Sequence, residues 1–302
     1  MNTINSIRAA IYRTSQIKYI MPTCKFSTEL KTDVQGQTIN YLKVGHGPKN
    51  IFCFPGALGT IWSDFKPQIE GLSPSQFTII AWDPPGYGAS RPPNKSFNRR
   101  FYENDAETAH ALLQQLGISK YSLLGWSDGG ISSIILAAKH ADNVEKLMIW
   151  GANAYILPED LEAFESRNRA EIVQIPVNIM YCVSEIRDVS KWSSRMADPL
   201  IKLYTKDGLQ EMWGSWCDTM VEIFKNGGDI CKSSLADIQC PTLILHGHKD
   251  PLVAQEHPMH LLENIRNARL HVYPEGKHNI HLKYAEDFNA IVSKFIMSDS
   301  CL

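Results

Sequence analysis

The chain of 302 residues has no apolar run near the roughly 18 to 20 residues that a bilayer crossing requires, so no membrane-spanning helix is expected. It has little net charge, with 30 Lys and Arg against 32 Asp and Glu, and so offers no basic surface for nucleic acid. Internal repeats and low-complexity tracts are absent. The seven cysteines include no Cys-x-x-Cys pair and sit in apolar settings such as Phe52-Cys53-Phe54, which fits reduced, buried thiols. His246 and His248 flank Gly247, but no Cys/His grouping has zinc spacing, so no metal site is expected.

A local absence is more telling. Residues 1–28 contain no Asp or Glu, yet carry Arg8, Arg13, Lys18 and Lys25, with Ile4, Ile7 and Ile11 at helical spacing. This basic, weakly amphipathic composition fits a mitochondrial transit peptide, and its apolar stretch is too short for a secretory signal. Residues 1–34 are therefore expected to be a leader and flexible tail.

Beyond it, 44% hydrophobic and 21% charged residues are ordinary for a globular chain. Short apolar runs alternate with helical patterns. Thr38 to Val44 reads as an edge strand. Asn50 to Phe54, Phe77 to Trp82, Tyr121 to Leu124, Val144 to Trp150, Thr242 to Leu245 and Arg269 to Val272 read as buried parallel strands. Helices are expected over Arg99 to Leu116, Ile131 to His140, Glu256 to Arg266 and Tyr284 to Met297. The fold class is α/β: a mostly parallel sheet covered by helices on both faces. Between Tyr155 and Leu235 the strands stop, and Glu159 to Arg169, Arg187 to Met196 and Pro199 to Lys225 read as helices. The expected organisation is a core in two parts, 35–154 and 236–302, with a helical cap at 155–235 over the carboxyl edge of the sheet. Trp192, Trp213 and Trp216 fall in this cap, either as packing or as pocket lining.

The chemistry centres on Gly125-Trp126-Ser127-Asp128-Gly129, a G-x-S-x-G sequence between an apolar strand and a helix. A sharp turn there would lift the Ser127 hydroxyl clear of the backbone. A serine hydroxyl needs a general base, and the base needs an acid to orient it. Asp250, in the loop after the strand ending at Leu245, is the candidate acid; His278, in the loop after the strand ending near Val272, is the candidate base. The order Ser, Asp, His is that of a doubly wound hydrolase. His281 is the rival base, disfavoured because the last helix begins there. The backbone N–H groups of Ala57 and Asp128 are the candidate oxyanion donors. The Asp128 carboxylate poses a problem, because it opposes a developing oxyanion by about 4 kcal/mol at 4 Å and an effective dielectric of 20. A substrate ammonium would turn that penalty into recognition. The alternative is a side chain that points away into solvent or pairs with Arg or Lys.

Four segments, Gly125 to Gly130, Trp150 to Tyr155, Ile186 to Trp192 and Pro274 to Asn279, closely resemble the valacyclovir hydrolase, or biphenyl hydrolase-like, family of α/β-hydrolases. The similarity runs from about residue 35 onward. It implies a monomeric, cofactor-free serine hydrolase for small α-amino acid esters, with thiolactones as a further class, in a mitochondrial setting. By the same resemblance Ser127 is the nucleophile, Asp250 the acid, His278 the base and Asp128 the anchor for the substrate amino group. Residues 168–183 look additional to the family's cap, and Ala57 stands where relatives carry a larger residue. A carbon–carbon bond hydrolase or a general carboxylesterase could use the same triad. A silent binding module on this fold should have lost part of the triad.

Overall fold

The computed structural model describes residues 28–158, 160 and 186–298. Eight strands form one sheet: β1 (Leu30–Val34), β2 (Gln37–Gly45), β3 (Lys49–Phe54), β4 (Phe77–Trp82), β5 (Tyr121–Trp126), β6 (Val144–Trp150), β7 (Thr242–Gly247) and β8 (Ala268–Tyr273). Their spatial order is β1-β2-β4-β3-β5-β6-β7-β8. β1 and β2 pair antiparallel, as do β2 and β4; the other neighbours are parallel. β4 is buried at all six positions, which is why its sequence, Phe-Thr-Ile-Ile-Ala-Trp, shows almost no polar alternation.

The sheet starts earlier than the sequence suggests. β1 lies within the stretch expected to be leader and tail, and it takes the edge position assigned to Thr38 to Val44. Its own pattern is mostly exposed: of its two apolar residues, Leu30 faces solvent and only Val34 is buried. The rest of the expected leader, residues 1–27, lies outside the described residues.

Helices cover both faces: α1 (Ile61–Asp64), α2 (Lys66–Gly71), α3 (Phe101–Gln115) and α4 (Asp128–Lys139) before the cap. Two buried clusters follow from this layering. One joins α3 and α4 to a sheet face through residues such as Leu112, Ile134, Phe52 and Leu123. The other includes Ile61, Phe65, Cys53, Leu124 and Phe288 on the opposite face.

The cap lies between β6 and β7. Its described part contains a 3₁₀ turn at Val189–Lys191, α5 (Ser194–Tyr204) and α6 (Lys206–Lys225). The single helix expected from Pro199 to Lys225 is thus two. Thr205, at φ 63°, breaks the chain direction, and its hydroxyl accepts the Gly208 N–H at 3.2 Å to start α6. The Arg187 to Met196 stretch is likewise a 3₁₀ turn followed only by the beginning of α5. Most of the expected helix Glu159 to Arg169, and all of the additional segment 168–183, lie outside the described residues. The two ends of the insertion are pinned together by an antiparallel bridge between Tyr155 and Asp229, with Ile156 N–H on Gly228 O at 2.9 Å. After β7 come α7 (Glu256–Asn264), α8 (Ile280–Lys283) and α9 (Ala285–Met297). No described helix is long and apolar enough to cross a membrane.

The strand order places a functional crevice. β3 and β5 are neighbours, but the chain continues from β3 to one side, through β4, and from β5 to the other, through β6. Ligands bind at such a switch point, beyond the carboxyl ends of the strands. The loop after β4 that walls this crevice is tied down by Lys95, whose ammonium meets Asp105 of α3 at 2.6 Å with both side chains at most 10% exposed. Lys95→Met leaves a buried carboxylate without its cation and should lower unfolding free energy by about 3 to 5 kcal/mol in urea titrations. Removing both charges with Lys95→Met and Asp105→Leu should recover much of that loss.

Candidate active site

Ser127 follows β5 and precedes α4 with φ 55° and ψ −122°, a backbone conformation that a residue with a side chain adopts only under constraint. The flanking glycines make it possible. A Cβ on Gly125 would stand 2.5 Å from Ser133 Oγ, and one on Gly129 would stand 2.2 Å from Phe54 O. The G-x-S-x-G spacing therefore reflects two close backbone approaches. The Ser127 N–H is held by Trp150 O at 2.9 Å, which locks the turn to the end of β6.

His278 is brought to the same place. A Cβ on Gly151, which has φ 58°, would lie 2.8 Å from His278 Cε1, so the imidazole rests directly on the backbone that follows Trp150. Trp126 Nε1 donates to His278 O at 3.0 Å, fixing the loop from the other side of Ser127. His278 Nδ1 meets Asp250 Oδ2 at 2.9 Å. Asp250 also accepts the N–H groups of Leu252 and Val253 at 2.9 and 3.2 Å. Burial pushes the Asp250 pKa up, but these hydrogen bonds and the adjacent imidazole outweigh it, and the net shift is downward. His278 and Asp250 are thus hydrogen-bonded to each other, and the chain that seats His278, Trp150–Gly151, also holds the Ser127 turn.

The rival base does not join them. His281 is fully buried, and its Nδ1 accepts the Trp150 indole N–H at 2.9 Å. Burial lowers its pKa to about 3, so it is a neutral core residue. His246 is buried at the end of β7. Among the described residues no group of three or more His, Cys, Asp or Glu side chains is placed to hold a metal ion.

The loop after β3 packs against the serine turn, since a Cβ on Gly56 would come within 3.4 Å of Ser127 Cβ. Neither Ala57 N–H nor Asp128 N–H has a backbone acceptor among the described residues. The second of these also opens α4, where the positive end of the helix dipole adds to its donor strength.

Asp128 is only 7% exposed. Its Oδ1 accepts the Tyr102 hydroxyl at 2.9 Å and its Oδ2 the Trp216 indole N–H at 2.8 Å. Both donors are neutral, and among the described residues no Lys or Arg forms an ion pair with it. Burial raises its pKa to about 6, partly offset by the two hydrogen bonds. The solvated alternative is thereby removed. Trp213 stacks on Trp216 at 4.6 Å and Trp192 meets Trp213 edge-on at 5.1 Å, so the three cap tryptophans form a ladder ending on Asp128. Tyr102 and the pairing role of Trp216 had no motif in the sequence. Only the need of a buried carboxylate for donors could have prompted the search.

A mostly parallel eight-stranded sheet with a serine turn at its switch point defines an α/β-hydrolase. The chain belongs to the Hydrolase_4 family, serine aminopeptidase S33, which matches residues 49–283, and it is a serine hydrolase. It is 44% identical to mouse Serine hydrolase BPHL over 271 residues, covering 89% of this chain and 86% of that protein. It is 26% identical to the 2-hydroxy-6-oxononadienedioate/2-hydroxy-6-oxononatrienedioate hydrolase of Escherichia coli, over 88% of this chain and 94% of that protein. In fold it is similar to the meta-cleavage product hydrolase CumD of Pseudomonas fluorescens, with a TM-score of 0.68 and 22% identity over 88% of this chain and 96% of that one.

The seat of His278 on Gly151 is directly testable. Gly151→Ala introduces a Cβ into the imidazole and strains a left-handed backbone. It should lower kcat by about 100-fold, the scale of a 1 Å misplacement, while the far-UV circular dichroism stays unchanged.

Proposed function

We propose that this hydrolase cleaves small α-amino acid esters through an acyl-enzyme on Ser127, with the substrate ammonium held by Asp128. The observation that carries the reading is the Asp128 carboxylate itself, buried beside the nucleophile between two neutral donors with no cation on it among the described residues. A buried anion is costly unless a cation meets it. An α-ammonium lies two bonds from the acyl carbon, so pairing it with the residue next to the nucleophile also orients the carbonyl.

In this mechanism Ser127 Oγ bonds to the acyl carbon as its proton passes to His278 Nε2. Nδ1–H faces Asp250, which holds the ring's tautomer and stabilises the imidazolium. The carbonyl π electrons move to oxygen, which the Ala57 and Asp128 N–H groups receive. Collapse expels the alkoxide, which takes the proton from His278. A water then repeats the sequence on the acyl-enzyme, releasing the amino acid and restoring Ser127. The ammonium offsets the Asp128 charge that would otherwise oppose the oxyanion. The Escherichia coli relative is named for dioate substrates, and a dioate would bring further anions toward Asp128, which favours the cationic ester.

Ser127→Ala should reduce hydrolysis of a valyl ester to background and abolish labelling by a fluorophosphonate; retained labelling would remove Ser127 from the reaction. A second measurement tests the anchor. The ratio of kcat/KM for a valyl ester to that for its desamino counterpart cancels any titration common to both substrates. Because burial places Asp128 near a pKa of about 6, the carboxylate is present above that pH and neutralised below it. The ratio should be highest near pH 7, fall as the pH drops through about 6 and Asp128 is neutralised, and fall again as the substrate's α-ammonium loses its proton near its usual value of about 7.7 to 8.0. In Asp128→Asn it should be low and independent of pH; an unchanged ratio would overturn the anchor.

A further inference from the structure

The loop that carries Ala57 is a β-turn, with the Gly59 N–H on Gly56 O at 3.0 Å. This bond aims the donor. In a trans peptide the C=O and the following N–H point in opposite directions, so turning Gly56 O inward to Gly59 sends Ala57 N–H outward. The third turn residue, Leu58, has φ 60°, a conformation usually given to Gly or Asn and costing leucine roughly 1 to 2 kcal/mol. Something outside the turn must hold it there.

Two contacts do so from opposite sides. At the start of the turn, Asp64 Oδ2 accepts the Gly56 N–H at 2.9 Å, while Asp64 Oδ1 accepts the Ser63 hydroxyl at 2.6 Å. Asp64 is 4% exposed and lies so close beneath the turn that a Cβ on Gly59 would fall 1.9 Å from its Oδ2. At the other end, Leu58 O accepts the hydroxyl of Tyr204, the last residue of α5 in the cap, at 2.9 Å. That hydroxyl in turn accepts the Gly88 N–H at 3.0 Å. Arg91 covers the Tyr204 ring at 4.4 Å and donates to Leu203 O at 2.7 Å. The Leu58 side chain is buried with Tyr204, Leu209 and Met212 of the cap. The strained residue is therefore leucine rather than glycine because its side chain and carbonyl are what the cap grips.

We propose that Asp64 and Tyr204 are positioning residues that clamp the 56–59 turn between the core and the cap, and so hold Ala57 N–H where the oxyanion forms. Neither touches substrate. The inference rests on the proposed role of Ala57 and adds that the donor is assembled only when the cap is seated.

A positioning role is separated from a merely structural one by what each variant does to transition-state and ground-state ligands. The enzyme is assayed with p-nitrophenyl acetate, alongside two inhibitors: a trifluoromethyl ketone that forms a tetrahedral oxyanion, and an unreactive ether of the same shape. Tyr204→Phe should lower kcat by about 10- to 100-fold with KM within about threefold, a fraction of what loss of a whole donor causes. The ketone should bind more weakly by the factor that kcat/KM loses, and the ether should bind as before. Asp64→Ala should show the same split, and Asp64→Asn, which keeps an oxygen acceptor for Gly56 N–H, should recover most of the loss. Leu58→Gly relaxes the backbone and removes the side-chain part of the cap's grip, leaving only the carbonyl bond to Tyr204; it should also lower kcat, and it serves if Tyr204→Phe does not fold. Unchanged kcat in Tyr204→Phe or Leu58→Gly, or ketone and ether affinities falling together, would overturn the clamp. Wild-type enzyme inert to esters and to fluorophosphonate would instead overturn the proposed reaction.

Discussion

The close approach of two backbones at the switch point constrains everything around the site. Ser127 keeps its left-handed conformation because Gly129 lets α4 press against Phe54 O, and because the Ser127 N–H is captured by Trp150 O. Such a conformation typically costs about 1 to 3 kcal/mol and persists only where its neighbours over-determine it. Here they do so in three directions: the glycine contact toward β3, the hydrogen bond toward β6, and the helix that starts at Asp128. The same contacts place the turn of residues 56–59 on one side of Ser127 and His278, seated on Gly151, on the other.

Around that turn, acids of one residue type serve different ends according to their donors. Asp250 receives an imidazole and two backbone N–H groups, and its pKa falls despite burial. Asp128 receives only a phenol and an indole, and its pKa rises to about 6. Asp64, buried with one hydroxyl and one backbone donor, is raised to about 7. The differences follow from how many donors offset the loss of water. On the proposed reading, Asp128 is the acid whose electrostatic deficit a substrate ammonium repairs.

Much of this was legible in the sequence because it depends on local spacing. The parallel strands announced themselves as apolar runs, and Ser127, Asp250 and His278 each follow one. The low rank of His281 as a base was also accessible, since it falls where the last helical stretch begins, but its burial was not. What stayed hidden depends on distant pairs. Tyr102 reaches Asp128 across 26 positions and Trp216 across 88, and no motif links them. Tyr204 meets Leu58 across 146 positions. Thr205 reads as helical because it is flanked by good helix formers, and only its backbone angle separates α5 from α6. β1 was missed because an exposed edge strand needs few apolar residues.

The bridge between Tyr155 and Asp229 has a bearing on how this architecture can diversify. Because the insertion leaves and re-enters the core at one point, its length is decoupled from the register of the sheet. Lengthening a loop whose ends are already held adds little closure entropy, about 0.6 kcal/mol for each doubling. Residues can therefore be gained or lost within it while the strand ends that precede Ser127, Asp250 and His278 keep their places. Substrate preference can drift in such a lineage as a matter of cap length and composition, with the machinery beneath it inherited intact.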